Sequence, residues 1–447
     1  MTDKKDSASV TTAVRDPSVF NYNFDREIIT DQDSISKELN SFEDKLSNLF
    51  DYYIKPSSAS KDQIAAGKIT IKGVEHTLST QLQKFINDLS SLLDLDQITT
   101  FIFINSYSTN VRSLVYERTD LFDLFEYYYR DRYLLLSLVS SLIKKANDPN
   151  SLYNEVATKC VEQNRQGWET KLLANIQQLA TFQIPEYLRD HPQLHQAYKE
   201  HVLQEQQLLM EIVFLLYYTK QRISFPKDFK QVFTRFQQIN LGSYSDILMR
   251  SESLHPTLRH IEYISVLTCL FAIGDLSKGK FKDLSETDKM DVLNMLKMFE
   301  TNSMSHASAT IIYSVLLHIH GETLGPEFKE ILSKCLRYDP FNYVQQVIDC
   351  KYLTGSFSAF GYVETIQLFI SRFTMVYDLE STNIQSVDTL FDIYVKANKL
   401  YRPTLQDLIS HDLFKYAMSE KVLIQHFEKV SNLLCASIDD QESADYL

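Results

Sequence analysis

Asp120 to Asn147 reads DLFDLFEYYYRDRYLLLSLVSSLIKKAN. Within it Leu121, Phe125, Tyr128, Leu135, Val139 and Leu142 recur at steps of three, four or seven, which places them on one side of an α-helix. Phe122, Tyr129, Tyr133, Leu136 and Ile143 lie beside them and widen the stripe, so a helix here needs cover on more than one side. Arg130, Asp131 and Arg132 interrupt the stripe, and the pattern allows either one long helix or two short ones meeting there. Asp120 reads as the N-cap, since its carboxylate can accept an otherwise unpaired N–H of the first turn. Lys144 and Lys145 fall in the last turn, where cations suit the helix dipole. Asn147-Asp148-Pro149-Asn150 closes the segment as a turn.

The composition around this stretch points the same way. Gly and Pro number 10 each in 447 residues, about 2% apiece against roughly 7% and 5% in average proteins. Phosphate-binding loops and β-hairpins draw on Gly for positive φ or close backbone approach, so a chain this poor in Gly is most easily built from helices. Asp and Glu exceed Lys and Arg, 58 to 45, for a net charge of −13. That balance opposes binding to phosphate backbones, and no direct nucleic-acid contact is expected. The five cysteines, Cys160, Cys269, Cys335, Cys350 and Cys435, are scattered and show no C-x-x-C spacing, which reads as buried free thiols in a reducing compartment. The opening MTDKKDSASVTTAV has no apolar core of a signal peptide. The longest strongly apolar run, Ile212–Tyr218, is far short of the ~20 residues of a membrane span. The expectation is a soluble intracellular protein without membrane insertion.

Outward from the central stretch, residues 1–27 are polar and without period, and are expected to be disordered. Helical stripes begin with Ile35, Leu39, Phe42, Leu46 and Leu49 and resume with Leu78, Leu82, Phe85, Leu89 and Leu92. Lys68-Ile69-Thr70-Ile71-Lys72-Gly73 alternates and is the one strand-like run, with no evident partner. Helices are expected at about 152–181, 193–221, 227–239 and from Pro256 to Gly274. Ser285 with Asp288 resembles a capping box. Ser305 starts a helix closed by Gly321, and Pro326 and Pro340 stand near further helix starts. Four more stripes run at about 360–378, 384–399, 403–417 and 420–436. The sum is roughly fifteen helices in pairs of 35–50 residues, the size of HEAT-type repeats, although no consensus motif is present. The expected fold is all-α, an extended α-solenoid of HEAT/armadillo-like helical pairs over residues 28–436, with a polar acidic tail at 437–447.

Candidate chemistry is sparse. Gly274-Asp275-Leu276-Ser277-Lys278-Gly279-Lys280 fits seven positions of a P-loop, but Phe281 stands where Ser or Thr must hold Mg²⁺, and a helix rather than a strand precedes it. It reads as a helix C-cap and a basic turn. His191 and His195, with His201 beyond, are spaced for a metal, yet Pro192 marks a helix start that would expose both rings. His318 and His320 point to different helix faces. Asp94 and Asp96 lack the Gly and Glu of a Ca²⁺ loop, and Asp439-Asp440 lie in the polar tail. Tyr127–Tyr129 could stack bases, but at helical spacing beside acids they read as core and interface. No catalytic, cofactor-binding or metal-ligating residues are assigned, no cofactor is expected, and an enzyme is the weakest reading.

Several landmarks resemble the nucleoporin-188 family in the same order. They are Tyr52-Tyr53-Ile54-Lys55-Pro56, Leu92-Leu93-Asp94-Leu95-Asp96, the Tyr-rich helix at 124–143, Gln204-Glu205-Gln206-Gln207-Leu208-Leu209-Met210-Glu211-Ile212-Val213-Phe214, and Arg259-His260-Ile261-Glu262-Tyr263-Ile264-Ser265. Each is a helix fragment; their order and spacing carry the likeness, over about residues 35–275 and more loosely to 370. The resemblance implies the N-terminal part of a large helical scaffold protein of the nuclear pore inner ring, at the nuclear envelope. It implies partners among other inner-ring scaffold nucleoporins and phenylalanine-glycine repeat nucleoporins, in support of nucleocytoplasmic transport of protein and RNA. Members of that family are several times longer, so this chain is expected to be an N-terminal piece, an incomplete gene product or a shortened relative. The family's contact with its linker nucleoporin is placed in the distant C-terminal tail, and no residue here inherits it. The rival reading is an acidic helical-repeat binding module resembling a nuclear transport receptor.

Overall fold

The computed structural model describes residues 17–28, 31–42, 45–46, 49, 55–71, 73–180, 188, 192–220, 223–239, 241, 254–274, 285–300, 304–320, 326–350, 361–363, 365–366, 369, 384–400, 417 and 419–437. Among these residues lie seventeen α-helices and a single two-stranded sheet. The order is α1 (Pro17–Asp25), α2 (Gln32–Ser41), α3 (Ser58–Ala65), β1 (Lys68–Ile71), β2 (Val74–Thr77), α4 (Thr80–Leu93), α5 (Gln97–Asn110), α6 (Arg118–Ala146), α7 (Asn154–Ala180) and α8 (Pro192–Tyr218). It continues with α9 (Lys227–Gln238), α10 (His255–Ala272), α11 (Glu286–Glu300), α12 (His306–His320), α13 (Pro326–Leu336), α14 (Pro340–Ile348), α15 (Ile384–Leu400), α16 (Glu420–Gln425) and α17 (Phe427–Ser437). The chain divides into two units, Met1–Ile212 and Val213–Leu447.

The first unit is arranged around α6, which is one unbroken helix of 29 residues. Its whole stripe from Leu121 to Leu142 is buried, and so are Tyr129, Leu136 and Ile143. The charged interruption does not break it, because Asp131 and Arg132 are themselves buried and held by partners. The helix begins three residues earlier than the apolar pattern suggests. Glu117 is the N-cap, and Asp120, the expected cap, stands at the third helical position. From there its Oδ2 accepts the N–H groups of Glu117 at 3.2 Å and Val115 at 2.9 Å, the reach-back half of a capping box. Helices α1, α4 and α7 pack along α6, α2 packs on α7, and α3 and α4 both pack on α5.

Two expectations for this unit are corrected. Pro17–Asp25 falls in the segment read as disordered, yet it forms α1 and buries Phe20 and Phe24. Asn21 Nδ2 donates to the Leu134 carbonyl at 2.6 Å, and Lys145 Nζ donates to Glu27 at 2.9 Å. A nine-residue helix is too short to reveal its period in sequence; the partners that hold it lie more than a hundred residues away. The strand at Lys68 is also not alone. It pairs antiparallel with Val74–Thr77, in register Lys68↔Thr77 through Ile71↔Val74, about Gly73 with φ +82°. Only Ile69 of this hairpin is buried, so its second strand carries no apolar alternation to detect.

The second unit follows a simpler rule. Helix α10 packs on α9 and α12, α12 on α13 and α14, α14 on α15, and α15 on α17. Among the described helices these pairs join elements one or two apart, which fits an all-α helical repeat. Local chemistry sets the ends as read. Pro326 and Pro340 are first residues of α13 and α14, where a missing N–H costs nothing. Ser305 Oγ accepts the Ser308 N–H at 3.2 Å in front of α12. Ser285 Oγ accepts the Asp288 N–H at 3.1 Å and donates to its carboxylate at 2.7 Å. Gly274, with φ +87°, follows α10. Gly321, residues 275–284 and 401–416, and most of the 360–378 stripe lie outside the described residues.

The 420–436 stripe is not one helix. It breaks at His426 into α16 and α17. The ring of His426 sits 2.7 Å from Asp388 of α15, and Lys429 Nζ donates to both carboxylate oxygens of Asp392 at 2.7 Å. These ties hold Val422, Val430 and Leu433 inward, whereas Phe427 is 66% and Ile424 74% exposed. Of the five free cysteines, Cys269 and Cys335 are buried, Cys160 and Cys350 are half-buried, and Cys435 is exposed, so burial of all five does not hold.

Two outcomes are expected from this packing. Leu135 is fully buried at the centre of α6, so Leu135→Ala should cost about 2–5 kcal/mol. Native-state hydrogen exchange in the variant should rise first in α6 and α7; a rise confined to α14–α17 would contradict the placement. The second concerns acid. His260 on α10 is 2% exposed, and burial pushes its pKa down to about 4 from 6.5. The folded state therefore refuses a proton that the unfolded state takes. Its stabilising effect is complete above pH 6.5 and is lost as the pH falls toward 4, on the order of 3 kcal/mol in all. His260→Leu should flatten the stability profile of the second unit across that window, measured by thermal melts in a pH series.

Candidate functional site

A surface groove of about 560 Å³ opens in the first unit where α5, α6 and α8 meet. Helix α6 supplies Asp123, Glu126, Tyr127, Arg130 and Tyr133, α5 supplies Tyr107, and α8 supplies His201. Steps of three and four put the α6 residues on one face, beside the stripe that enters the core. The floor is aromatic. Tyr107 meets Tyr127 edge-on at 4.9 Å and 79°, and behind them Phe103 meets Tyr128 at 5.6 Å and 89°. The guanidinium of Arg130 lies 5.4 Å above the Tyr127 ring. The ring of His201 stacks flat on Tyr129, 4.6 Å and 5° apart. Tyr133 donates its hydroxyl proton to the His201 carbonyl at 2.7 Å, and His201 Nδ1 is 2.9 Å from the same hydroxyl. Burial and the nearby Glu205 carboxylate push the Tyr133 phenol well above its ordinary range, so it stays a neutral donor. At the rim, Arg112 Nη2 lies 2.5 Å from Asp123 and 2.8 Å from the buried Asp120. Burial by itself would raise the Asp120 carboxyl, but the Glu117 N–H, Arg112 and the Val115 N–H together hold it below the usual range.

Beneath the groove, α6 and α8 are joined by buried charge. Arg132 is 0% and Glu205 3% exposed, and Arg132 Nε donates to Glu205 Oε1 at 2.5 Å. Arg132 Nη1 also donates to the Leu49 carbonyl at 3.3 Å, and its guanidinium lies 5.5 Å from the Tyr128 ring centre. Three turns on, Lys144 Nζ is 3.5 Å from Glu211, whose carboxyl burial raises and Lys144 partly offsets. A second, more polar groove of about 480 Å³ lies between α2 and α7, lined by Ser36, Asn40, Cys160, Gln163 and Asn164 among others.

The residues singled out in sequence fall apart in space or into structural roles. Among the described residues no three His, Cys, Asp or Glu side chains gather as metal ligands. His191 lies outside the described residues, His195 is half-buried on α8, and His201 belongs to the aromatic groove. His318 packs edge-on against Phe225 at 4.6 Å. Asp94 is the left-handed C-cap of α4, and Asp96 caps α5 by accepting the Ile98 and Thr99 N–H groups. Lys280, Phe281, Asp439 and Asp440 lie outside the described residues. Tyr128 and Tyr129 are buried in the core, as the helical spacing indicates. The groove itself was not legible: Glu126, Tyr127 and Arg130 share a helix face, but nothing in sequence shows that His201 joins them. Among the described residues no helix is long and apolar enough to cross a membrane.

Comparison with known proteins gives a consistent match. The family model described as "Nucleoporin Nup188, N-terminal" matches residues 34–321, more than half of the chain. The chain is 20% identical to nucleoporin NUP188 of Homo sapiens over 390 residues, which covers 78% of this chain and 21% of the human protein. It is 22% identical to nucleoporin NUP188 of Xenopus tropicalis over 408 residues, covering 83% and 23%. The match thus spans less than a quarter of the length of these relatives.

The buried Arg132–Glu205 pair makes a sharp expectation. Glu205→Ala leaves a guanidinium buried without its carboxylate and should cost about 3–5 kcal/mol, whereas Arg132→Met combined with Glu205→Leu should recover most of that loss. Chemical denaturation followed by the fluorescence of the single Trp168, which is buried in α7 of the same unit, would measure both. Equal losses in the single and double variants would show that the cost does not come from an uncompensated buried charge.

Proposed function

This chain belongs to the nucleoporin Nup188 family through that family's N-terminal region, and on that premise we propose that it is a structural component of the nuclear pore complex. The observation that carries the reading is the family match over residues 34–321. The fold supports it, because helices that rest on their sequence neighbours present long lateral surfaces without requiring an enclosed active site. The finer reading places the chain in the inner ring at the nuclear envelope. There it supports transport of protein and RNA by architecture rather than by catalysis. Its partners are other inner-ring scaffold nucleoporins, with phenylalanine-glycine repeat nucleoporins as further contacts. The helical body of residues 28–436, extended by α1 at its N-terminal side, is the part that does this.

A fluorescently tagged copy of the chain should collect at the nuclear rim in living cells and recover over many minutes or longer after photobleaching. Rapid exchange through nucleus and cytoplasm, with direct binding to the small GTPase Ran, would instead mark a carrier and reject the scaffold reading.

A further inference from the structure

We infer that the groove between α5, α6 and α8 docks a basic peptide segment of a partner protein. The partner sets an ammonium or guanidinium group against Asp123 and an apolar side chain against Tyr127 and Val111. The inference goes beyond the scaffold reading and does not depend on it.

The charge of the groove follows from the sharing of Arg112. Its Nη2 lies 2.8 Å from Asp120 and 2.5 Å from Asp123, so one guanidinium serves two carboxylates. Asp120 is buried, and its other oxygen takes the Val115 and Glu117 N–H groups, which steady its charge without cancelling it. One negative charge is left over. It reaches the surface at Asp123, whose side chain is half exposed and whose Oδ1 has no partner among the described residues. One turn farther along α6, Arg130 offsets Glu126 in the total, and His201 Nε2 stands 3.3 Å from both oxygens of Glu126. Three carboxylates thus stand against two guanidiniums, and a proton on His201 brings the groove to neutrality and no further. The excess at Asp123 belongs to the Arg112 cluster and is the same in either state of that ring. Beside it the groove offers the Tyr127 ring and the half-exposed Val111, on a chain whose net charge is −13.

That combination selects the occupant. An acidic segment meets the uncancelled charge of Asp123 directly. A second copy of this chain brings its own large negative charge, and a nucleic acid is repelled over a longer range by the same charge. A basic segment is drawn in by that field and places its cation on the free oxygen of Asp123. Interleaved apolar residues cover Tyr127 and Val111, and about 560 Å³ accommodates one or two such side chains.

The test is fluorescence anisotropy of the full chain with short labelled peptides in which Leu alternates with Lys, with Ser or with Glu. The Lys peptide should bind most tightly, and less tightly as salt is raised. Asp123→Asn should weaken it roughly three- to fivefold, the range of an exposed ion pair. Asp62→Asn, exposed on α3 and outside the groove, removes the same charge elsewhere and should leave binding unchanged. Tyr127→Ala should weaken the Lys peptide. Asp123 is half exposed, so its replacement should leave the circular dichroism spectrum unchanged. Equal binding of the Lys and Ser peptides, preference for the Glu peptide, equal effects of Asp123→Asn and Asp62→Asn, or tighter binding of a single-stranded oligonucleotide would each overturn the proposal. None of these results bears on localisation at the nuclear rim, so the two readings fail separately.

Discussion

A helix that is apolar around most of its circumference must be covered on most of its circumference, and that requirement shapes the first unit. Burying each large aliphatic or aromatic side chain of α6 is worth roughly 1.5–3 kcal/mol relative to leaving it in water. Tyr128, Leu135, Val139 and Leu142 need cover along more than two turns each way, and one neighbouring helix cannot supply it. Helices α1, α4 and α7 pack along it, and α8 is joined to it by charge. Even the nine residues of α1 owe their place to this requirement, since Phe20 and Phe24 close part of the surface that α6 would otherwise leave open.

Apolar cover alone would let α8 slide along α6. The buried charges oppose that. Arg132 can satisfy its guanidinium in the core only where Glu205 and the Leu49 carbonyl meet it, so the pair selects one register out of several that hydrophobic contact would accept. Lys144 with Glu211, farther along both helices, repeats the constraint. His201 with Tyr133 and Glu126 repeats it at the surface, and there the same fixing of register builds a groove. The functional candidate is thus a by-product of the device that aligns two long helices.

In the second unit the constraint is met step by step. The contacting helices stand close in the order of described elements, and a longer tie joins them where Tyr343 of α14 donates its hydroxyl to Glu262 of α10 at 2.7 Å. Burial raises the Glu262 carboxyl, and this hydroxyl partly offsets the effect. At α16 and α17 the two carboxylates of α15, Asp388 and Asp392, hold His426 and Lys429 against it. What would be one continuous stripe is bent by these contacts, and Phe427 is turned outward.

The residues by themselves determined the all-α class, because scarce Gly and Pro and repeated stripes of period 3.6 leave little else to build. They also determined several helix ends, because caps such as Ser285 and Ser305 and starts such as Pro326 and Pro340 act within one turn of backbone. The family likeness was legible for a related reason, being carried by helix fragments in a set order. What the tertiary structure alone decided is which surfaces meet. A stripe states how much area must leave water, and nothing in it names the segment that will cover it. The second strand at Val74, the helix at Pro17 and the break at His426 all depend on partners supplied from elsewhere in the chain. So does the groove, whose Glu126 and His201 stand 75 residues apart and are brought together only because the core beneath them is packed.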